Sequence, residues 1–187
     1  MRDLVASIAA EFRRYKSLGD AAMAQLTDAD FAALDGDAGN SVAVIVRHMS
    51  GNFASRFTDF LTTDGEKPSR DRDAEFVREA ASRTRLMSEW DAGWKVLFAA
   101  LTPLVDVDLA RTVTIRGQAL RVHEALHRSL AHASYHVGQI VHIAKLRRGA
   151  DWRTLSIAPG QSAEYNRAPT LERPGALAEK LKGSPGA

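Results

Sequence analysis

Apolar residues recur at steps of three and four along most of the chain, which is the spacing of amphipathic helices. Four stretches show this period, over residues 4–26, 41–61, 73–101 and 122–148. Each of these helices would have one apolar face to bury, and mostly short loops join them. The pattern therefore predicts an all-α fold, a four-helix bundle, with another all-α arrangement of the same helices as the alternative.

Two connections between these helices carry recognisable turn signals. Residues 35–40 are rich in Gly and Asp and predict a loop, after which Asn40 or Ser41 can cap the second helix. Ahead of the fourth helix the period changes to that of strands, at 112–115 and 118–121, with Arg-Gly between them. We therefore expect a small β-hairpin before the fourth helix.

The length of 187 residues suits one domain with a sizeable core and is short for two. We predict that this domain spans residues 1–166. Residues 167–187 are rich in Pro, Gly and small side chains and predict a flexible C-terminal tail. No apolar run approaches the ~18 residues that a bilayer span needs, and the amino terminus lacks the apolar centre of a secretory signal. A cytoplasmic protein without a membrane partner is expected.

The composition narrows the possible chemistry. There is no cysteine, so disulfides, thiolate ligands and a cysteine nucleophile are excluded, and any metal must be bound through nitrogen or oxygen. The formal net charge is only +2, because 25 Lys and Arg are scattered among 23 Asp and Glu. Such a balance argues against nucleic acid as a partner.

The predicted fourth helix contains two pairs of histidines spaced four residues apart, His123 with His127 and His132 with His136. Their angular positions distinguish the pairs, because successive helical residues are about 100° apart. His132 and His136 fall at the edge of the apolar stripe, whereas His123 and His127 lie on the opposite side, where imidazoles meet water. Only the second pair is expected to face the interior.

A third histidine is in a comparable position on the predicted second helix. His48 falls at the margin of that helix's buried face. Three neutral imidazoles around one ion would leave positions open for water or substrate, as in catalytic metal sites. A histidine at the edge of a core is also often a hydrogen-bonded packing residue, so the spacing alone leaves both interpretations open.

Three segments resemble the DinB/YfiT-like superfamily of metal-dependent four-helix bundles: Arg47-His48-Met49, Val113-Thr-Ile-Arg-Gly117 and His132-Ala-Ser-Tyr-His136-Val-Gly-Gln139-Ile. The chain is also similar to one bacterial branch of that superfamily, of unknown function, through the later segments 152–157, 160–162 and 165–166. The resemblance implies a four-helix bundle, often a homodimer, in which His48, His132 and His136 hold zinc or nickel.

Relatives in that superfamily transfer low-molecular-weight thiols, such as bacillithiol or mycothiol, onto electrophiles. The resemblance therefore implies a metal-dependent enzyme that transfers such a thiol to a small electrophile. With no cysteine in the chain, the thiol would be a substrate. A metal-dependent hydrolase is the nearest alternative, since a divalent ion activates water as well as thiols. A non-enzymatic bundle with a structural metal is a further alternative, and a nucleic-acid binder is the least favoured.

Two other residues are candidates for binding the substrate. Arg56 falls inside the apolar stripe of the second helix, where an unpaired charge is costly, so it binds either a substrate carboxylate or a structural ion-pair partner. Gln139 lies on the same side of its helix as His136 and could orient a ligand or substrate, or cap a neighbouring backbone group.

Aromatic residues outside the histidine segments have simpler interpretations. Trp90 and Trp94, four residues apart on the predicted third helix, are expected in the core or in a dimer interface. Tyr165 and the segment around Ser162 could fold over the site as a lid.

Overall fold

The structure, a computed structural model, describes residues 1–34, 39–78 and 81–183. The described part is mostly helical and contains one antiparallel two-stranded hairpin. Its long helices are α1 (Asp3–Met23), α3 (Val42–Phe57), α4 (Arg83–Leu101) and α5 (Val122–Arg148). The short elements are α2 (Asp28–Ala32), β1 (Thr112–Ile115), β2 (Gln118–Arg121), α6 (Ser162–Tyr165), α7 (Ala176–Lys182) and 3₁₀ turns at Ala74–Phe76, Asp106–Ala110 and Gly149–Asp151.

The long helices enclose an apolar core. Helix α1 packs along α5, α3 packs along α4, and α3 also contacts α5. Trp90 and Trp94 are fully buried in this core, which confirms the core position for both. The ring of Trp94 contacts Phe12 of α1 and Phe53 of α3, so one side chain of α4 joins three helices. Among the described residues, no helix combines the length and apolar composition needed to cross a bilayer.

Helices α3 and α4 approach each other closely near the middle of α3. A Cβ built on Gly93 of α4 would lie 2.8 Å from the Cα of Ser50, which is too near for any real side chain. Glycine at this position lets the two backbones touch. Since Ser50 is two residues from His48, this contact helps to set where His48 lies.

Two helix boundaries differ from those predicted. The second helix begins at the predicted cap, where the Ser41 hydroxyl accepts a hydrogen bond from the Val44 N–H, but it ends at Phe57 rather than near residue 61. Asp59, with a φ of 49°, breaks the helical path there.

The third helix begins at Arg83, not at residue 73, because Ser82 caps it through the Arg85 N–H. The 3₁₀ turn at Ala74–Phe76 precedes it as a separate element. Phe76, which the sequence places on the third helix, therefore belongs to a connecting segment.

The hairpin and the fourth helix have the predicted limits. Strand β1 pairs with β2 from Thr112 opposite Arg121 to Ile115 opposite Gln118. The two turn residues, Arg116 and Gly117, have φ values of 55° and 71°, as a tight two-residue hairpin turn requires.

Two further segments complete the description. Most of the loop predicted over 35–40, namely 35–38, lies outside the described residues. Within the segment predicted as a flexible tail, the structure contains α7, which packs against α1. Leu177 and Leu181, one turn apart, are buried in that contact. This apolar pair at helical spacing therefore allows part of the Pro- and Gly-rich segment to pack against α1.

Candidate metal centre

Three histidines from two helices meet at one point inside the fold. His48 comes from α3, and His132 and His136 come from successive turns of α5. One ring nitrogen from each lies within 4.8 Å of the other two. The shortest separation is 3.0 Å, between His48 Nε2 and His132 Nε2. The three histidines singled out from the sequence thus lie close together and could bind a metal.

The helices present these side chains at the margin of the core. His48 and His136 are buried and His132 is partly buried. Ala133 and Val137, each adjacent in sequence to one of the α5 histidines, are buried in the core and fix the rotation of α5. Because residues four apart lie on one face of a helix, this rotation carries both imidazoles to the same place.

The ring of His48 is oriented by a hydrogen bond to Glu75. The His48 Nδ1 and the Glu75 Oε2 are 2.9 Å apart. Glu75 is held in turn by Arg70, whose Nε and Nη2 donate to its two oxygens at 2.8 and 2.9 Å. Burial opposes ionisation of Glu75, but the hydrogen bonds from His48 and Arg70 outweigh it and keep its pKa below the ordinary value.

His136 is oriented by Gln139 on the next turn of α5. The His136 Nδ1 lies 2.8 Å from the amide oxygen Oε1, and the Gln139 Nε2 donates to the hydroxyl of Tyr135 at 3.3 Å. An amide oxygen only accepts, so His136 carries its proton on Nδ1 and has a lone pair on Nε2. Burial lowers the pKa of His136, partly opposed by the Gln139 hydrogen bond, and His48 lowers it further.

His132 differs from His48 and His136 in the hydrogen bonding of its Nδ1. This buried nitrogen has no hydrogen-bond partner among the described residues. Burial, followed by the neighbouring His136 and His48, lowers the pKa of His132 to about 3, so this imidazole is neutral at ordinary pH. Its Nε2 faces the His48 Nε2, which has a lone pair in the neutral form of that ring, because Nδ1 of His48 donates to the Glu75 carboxylate.

This arrangement fits a metal ion. Two imidazole nitrogens 3.0 Å apart require a proton or a cation between them, because two lone pairs repel. Imidazole nitrogens are the donors that zinc, nickel and other borderline transition metals prefer. Donation of the opposite ring nitrogen to a carboxylate or amide oxygen is also what metal-bound histidines usually show.

Arg56, a candidate for substrate binding, forms structural contacts in this chain. Its guanidinium donates to the carbonyl of Gly65 and to Glu66 Oε2, the latter at 2.9 Å. Glu66 also accepts from Arg116 of the hairpin turn at 3.0 Å. The structure therefore gives Arg56 an ion-pair partner, the structural alternative considered for it.

The remaining sequence candidates have contacts with residues outside the cluster. His123 and His127 pair with each other along α5, with ring centroids 6.0 Å apart, and His127 is exposed. The hydroxyl of Tyr165 binds Glu172 and the backbone N–H groups of residues 170 and 171. The hydroxyl of Tyr165, a residue considered as part of a lid, thus forms these hydrogen bonds within its own segment.

Glu75, Arg70 and Phe76 belong to the site but were not singled out from the sequence. The Phe76 ring lies against His48, with centroids 4.9 Å apart, and the guanidinium of Arg72 lies 5.0 Å above it. The connection between α3 and α4 contains all four of these residues, Arg70, Arg72, Glu75 and Phe76. Its sequence has no helical period that would predict their contacts with His48 or with one another. A buried histidine predicts an acidic hydrogen-bond partner, but several acidic residues in this segment fit that prediction equally well.

The described residues define a mostly helical protein with a three-histidine cluster able to bind a metal ion. The chain belongs to the family described as "Protein of unknown function (DUF1572)", whose model matches residues 1–161. That range contains the three histidines, Glu75 and the hairpin, and it ends before α7. No curated protein and no solved structure matches the chain.

Proposed function

We propose that this protein is a divalent-metal-dependent enzyme in which His48, His132 and His136 hold one zinc or nickel ion inside a four-helix bundle. The observation that carries the proposal is the cluster itself: one ring nitrogen from each of three buried or partly buried imidazoles, on α3 and α5, lies within 4.8 Å of the other two. Three protein ligands leave positions for water or substrate, as catalytic sites do and closed structural sites do not.

The bundle is proposed from the contacts between the long helices. Helix α1 lies along α5, α3 along α4, and α3 and α1 each contact the helix across from them. Both helices that bear histidines therefore contact each other as well as their main neighbours. Bundle interiors formed in this way are common places for metal sites.

A divalent ion bound there would supply positive charge that favours the ionised form of water or of a thiol at neutral pH. The side chains around the histidines would orient the imidazoles and cover them. Glu75 and Gln139 accept hydrogen bonds from the Nδ1 atoms of two of the imidazoles, and Phe76 covers one face of His48. The partly buried His132 is the ligand nearest to solvent, so we propose that substrates approach on its side.

The reaction we propose is transfer of a low-molecular-weight thiol onto a small electrophile. It is supported by the resemblance to the DinB/YfiT-like superfamily. Because the sequence contains no cysteine, the thiol would have to be a substrate. A homodimer is part of the same proposal, and a sedimentation mass near twice 20.4 kDa would support it.

The first test is elemental analysis of protein purified without a histidine tag. We expect one equivalent of zinc or nickel in the parent and a large loss in His48→Ala and His136→Ala. The matched control is His127→Ala, which removes an exposed imidazole from the same helix and should leave the metal content unchanged. Equal metal content in all four proteins would overturn the site assignment.

The second test measures consumption of both thiol and electrophile by the metal-loaded protein. Loss of the two in equal amounts, abolished in His136→Ala and retained in His127→Ala, is the expected result. Loss of the electrophile alone would replace the transferase with a hydrolase. Bound metal without any turnover of a broad set of thiols and electrophiles would favour a structural metal.

A further inference from the structure

We propose that Glu75, seated on Gly51 and paired with Arg70, is a positioning residue that fixes the ring orientation and tautomer of His48 for metal binding. This inference rests on the proposed metal centre and deepens it. It assigns a role to a carboxylate that is not one of the ligands, and it makes the connection between α3 and α4 part of the site.

Glu75 and Arg70 form a buried ion pair with two hydrogen bonds. The side chain of Glu75 is 9% exposed and that of Arg70 is 4% exposed, so neither charge is well hydrated. A buried carboxylate remains ionised only where it is paired and hydrogen-bonded. Arg70 meets both needs by donating to both Glu75 oxygens, at 2.8 and 2.9 Å.

The Glu75 carboxylate determines which ring nitrogen of His48 carries a proton. A carboxylate can only accept hydrogen bonds, so the His48 Nδ1, 2.9 Å from Oε2, must carry the proton. In the neutral form of the ring, which is the form that can bind a cation, the lone pair is then on Nε2, the nitrogen that faces His132. Glu75 therefore selects the tautomer that can bind a cation within the cluster.

Gly51 of α3 leaves room for the Glu75 carboxyl group. Gly51 follows His48 by about one helical turn. A Cβ at Gly51 would lie 2.8 Å from the Glu75 Cδ, so any larger residue would displace the carboxyl group. Helix α3 thus supplies both the imidazole and the gap into which its partner fits.

Glu66 provides a matched control for Glu75. It lies on the other side of Arg70, with Oε2 3.8 Å from Nη1 of that residue, and it also pairs with Arg56 and Arg116. Its carboxylate pairs with these arginines rather than with a histidine. Replacing Glu66 by Gln removes one charge from the same ion-pair network without touching the ring of His48.

The experiment compares parent, Glu75→Gln and Glu66→Gln by competition for Zn²⁺ against a chromophoric chelator. We expect Glu75→Gln to bind zinc about ten- to hundredfold more weakly, the usual effect of removing a partner behind a metal-bound histidine. Glu66→Gln should bind like the parent. Gly51→Ala, which displaces the carboxylate while keeping its charge, should weaken binding in the same direction, and circular dichroism checks that each variant is folded.

A second measurement does not depend on metal. The ¹⁵N chemical shifts of the His48 ring in metal-free protein should report the Nδ1–H tautomer in the parent and in Glu66→Gln. A mixture of tautomers is expected in Glu75→Ala, because the acceptor behind Nδ1 is gone.

The outcomes separate this inference from the proposed function. If the parent binds zinc through His48 and folded Glu75→Gln binds it equally well, the positioning role is wrong and the metal centre stands. If Glu66→Gln and Glu75→Gln weaken binding equally and Glu75→Ala keeps the Nδ1–H tautomer of the parent, the network is merely structural and the inference is also overturned. If the parent holds no more zinc than His48→Ala, the metal centre itself fails and this inference fails with it.

Discussion

Asp64 shows how a single carboxylate can stabilise an unusual backbone conformation. It accepts hydrogen bonds from the backbone N–H groups of Arg116 and Gly117, both at 2.8 Å, and from that of Glu66 at 2.7 Å. Arg116 has a φ of 55°, a region that residues with a Cβ seldom occupy. The carboxylate compensates for that conformation by satisfying both N–H groups of the turn. The same backbone hydrogen bonds, that of Gly117 foremost, lower the pKa of Asp64 below its ordinary range.

A pH dependence of stability follows from this lowered pKa. The unfolded chain protonates Asp64 near its ordinary value of about 3.9, whereas the folded state protonates it at a lower pH. Its contribution is therefore complete above about pH 5 and is lost as the pH falls through the folded-state pKa. Urea unfolding of the parent and of Asp64→Asn should show a less stable variant near neutral pH and a difference that narrows in acid. A difference that stays constant with pH would contradict this assignment.

At the residue scale, the histidines could be predicted and their supporting residues could not. The pair on α5 follows from a local rule, since residues four apart share a helix face, and His48 follows from the apolar stripe of its own helix. Glu75 is 27 residues from His48 and lies in a segment without a period. Its position depends on how the chain between α3 and α4 folds back, which only tertiary contacts determine.

At the scale of the elements, the contact between α3 and α4 depends on Gly93. An alanine Cβ there would meet the Cα, O and Cβ of Ser50 at 2.8 to 3.3 Å, and backbone atoms cannot move aside cheaply. We expect Gly93→Ala to lower the free energy of unfolding by about 1 to 3 kcal/mol through overpacking. Urea denaturation measures this change.

Gly138 on α5 is the matched control for Gly93. It is also inside a long helix, but a Cβ there meets nothing within 4 Å. Gly138→Ala should therefore raise the free energy of unfolding by about 0.4 to 1 kcal/mol, because alanine loses less backbone entropy on folding. If both substitutions destabilise equally, the close approach of α3 and α4 is not what limits position 93.

Elements with strong local signals were predicted well. Helix α5 has the predicted limits because its buried stripe runs from Val122 to Ala144 and a glycine follows at position 149. The hairpin has them because β-branched residues lead into a turn that contains glycine. The start of α4 was misplaced because apolar Phe76 extends the helical pattern into a segment that the Ser82 cap separates from the helix. The Pro and Gly residues around α7 concealed a short apolar pattern in the sequence.

Helix α7 offers a test of whether the C-terminal segment contributes to stability. Leu177 is 2% exposed and is part of the core. Leu177→Ala should lower the free energy of unfolding by about 2 to 5 kcal/mol if α7 unfolds together with the rest. Leu146→Ala, at a 57% exposed position on α5, should change it by no more than about 0.5 kcal/mol. Equal small effects in the two variants would show that α7 adds nothing to global stability.

At the scale of the whole molecule, a chain of charged residues links the hairpin to the histidine cluster. Arg116 of the turn binds Glu66, Arg70 lies between Glu66 and Glu75, and Glu75 binds His48. These contacts join two segments that are 50 residues apart, at the Arg116 and Glu66 pair. The connection between α3 and α4 therefore forms a polar layer outside the apolar core, with the proposed metal site at its inner edge.

Because the apolar core is built from residues other than the histidines, the fold should persist when metal is removed. Zinc that binds only the folded state would add about 2.7 kcal/mol to the free energy of unfolding at a free concentration about 100 times Kd. For a domain of this size, 1 kcal/mol raises Tm by about 2 to 4 °C, so we expect a gain of about 5 to 11 °C in the parent. His48→Ala should show little of this gain, whereas His127→Ala should show all of it. A chelated parent that loses its helical circular dichroism at room temperature would instead identify the metal as structural, because in such sites metal binding and folding are one equilibrium.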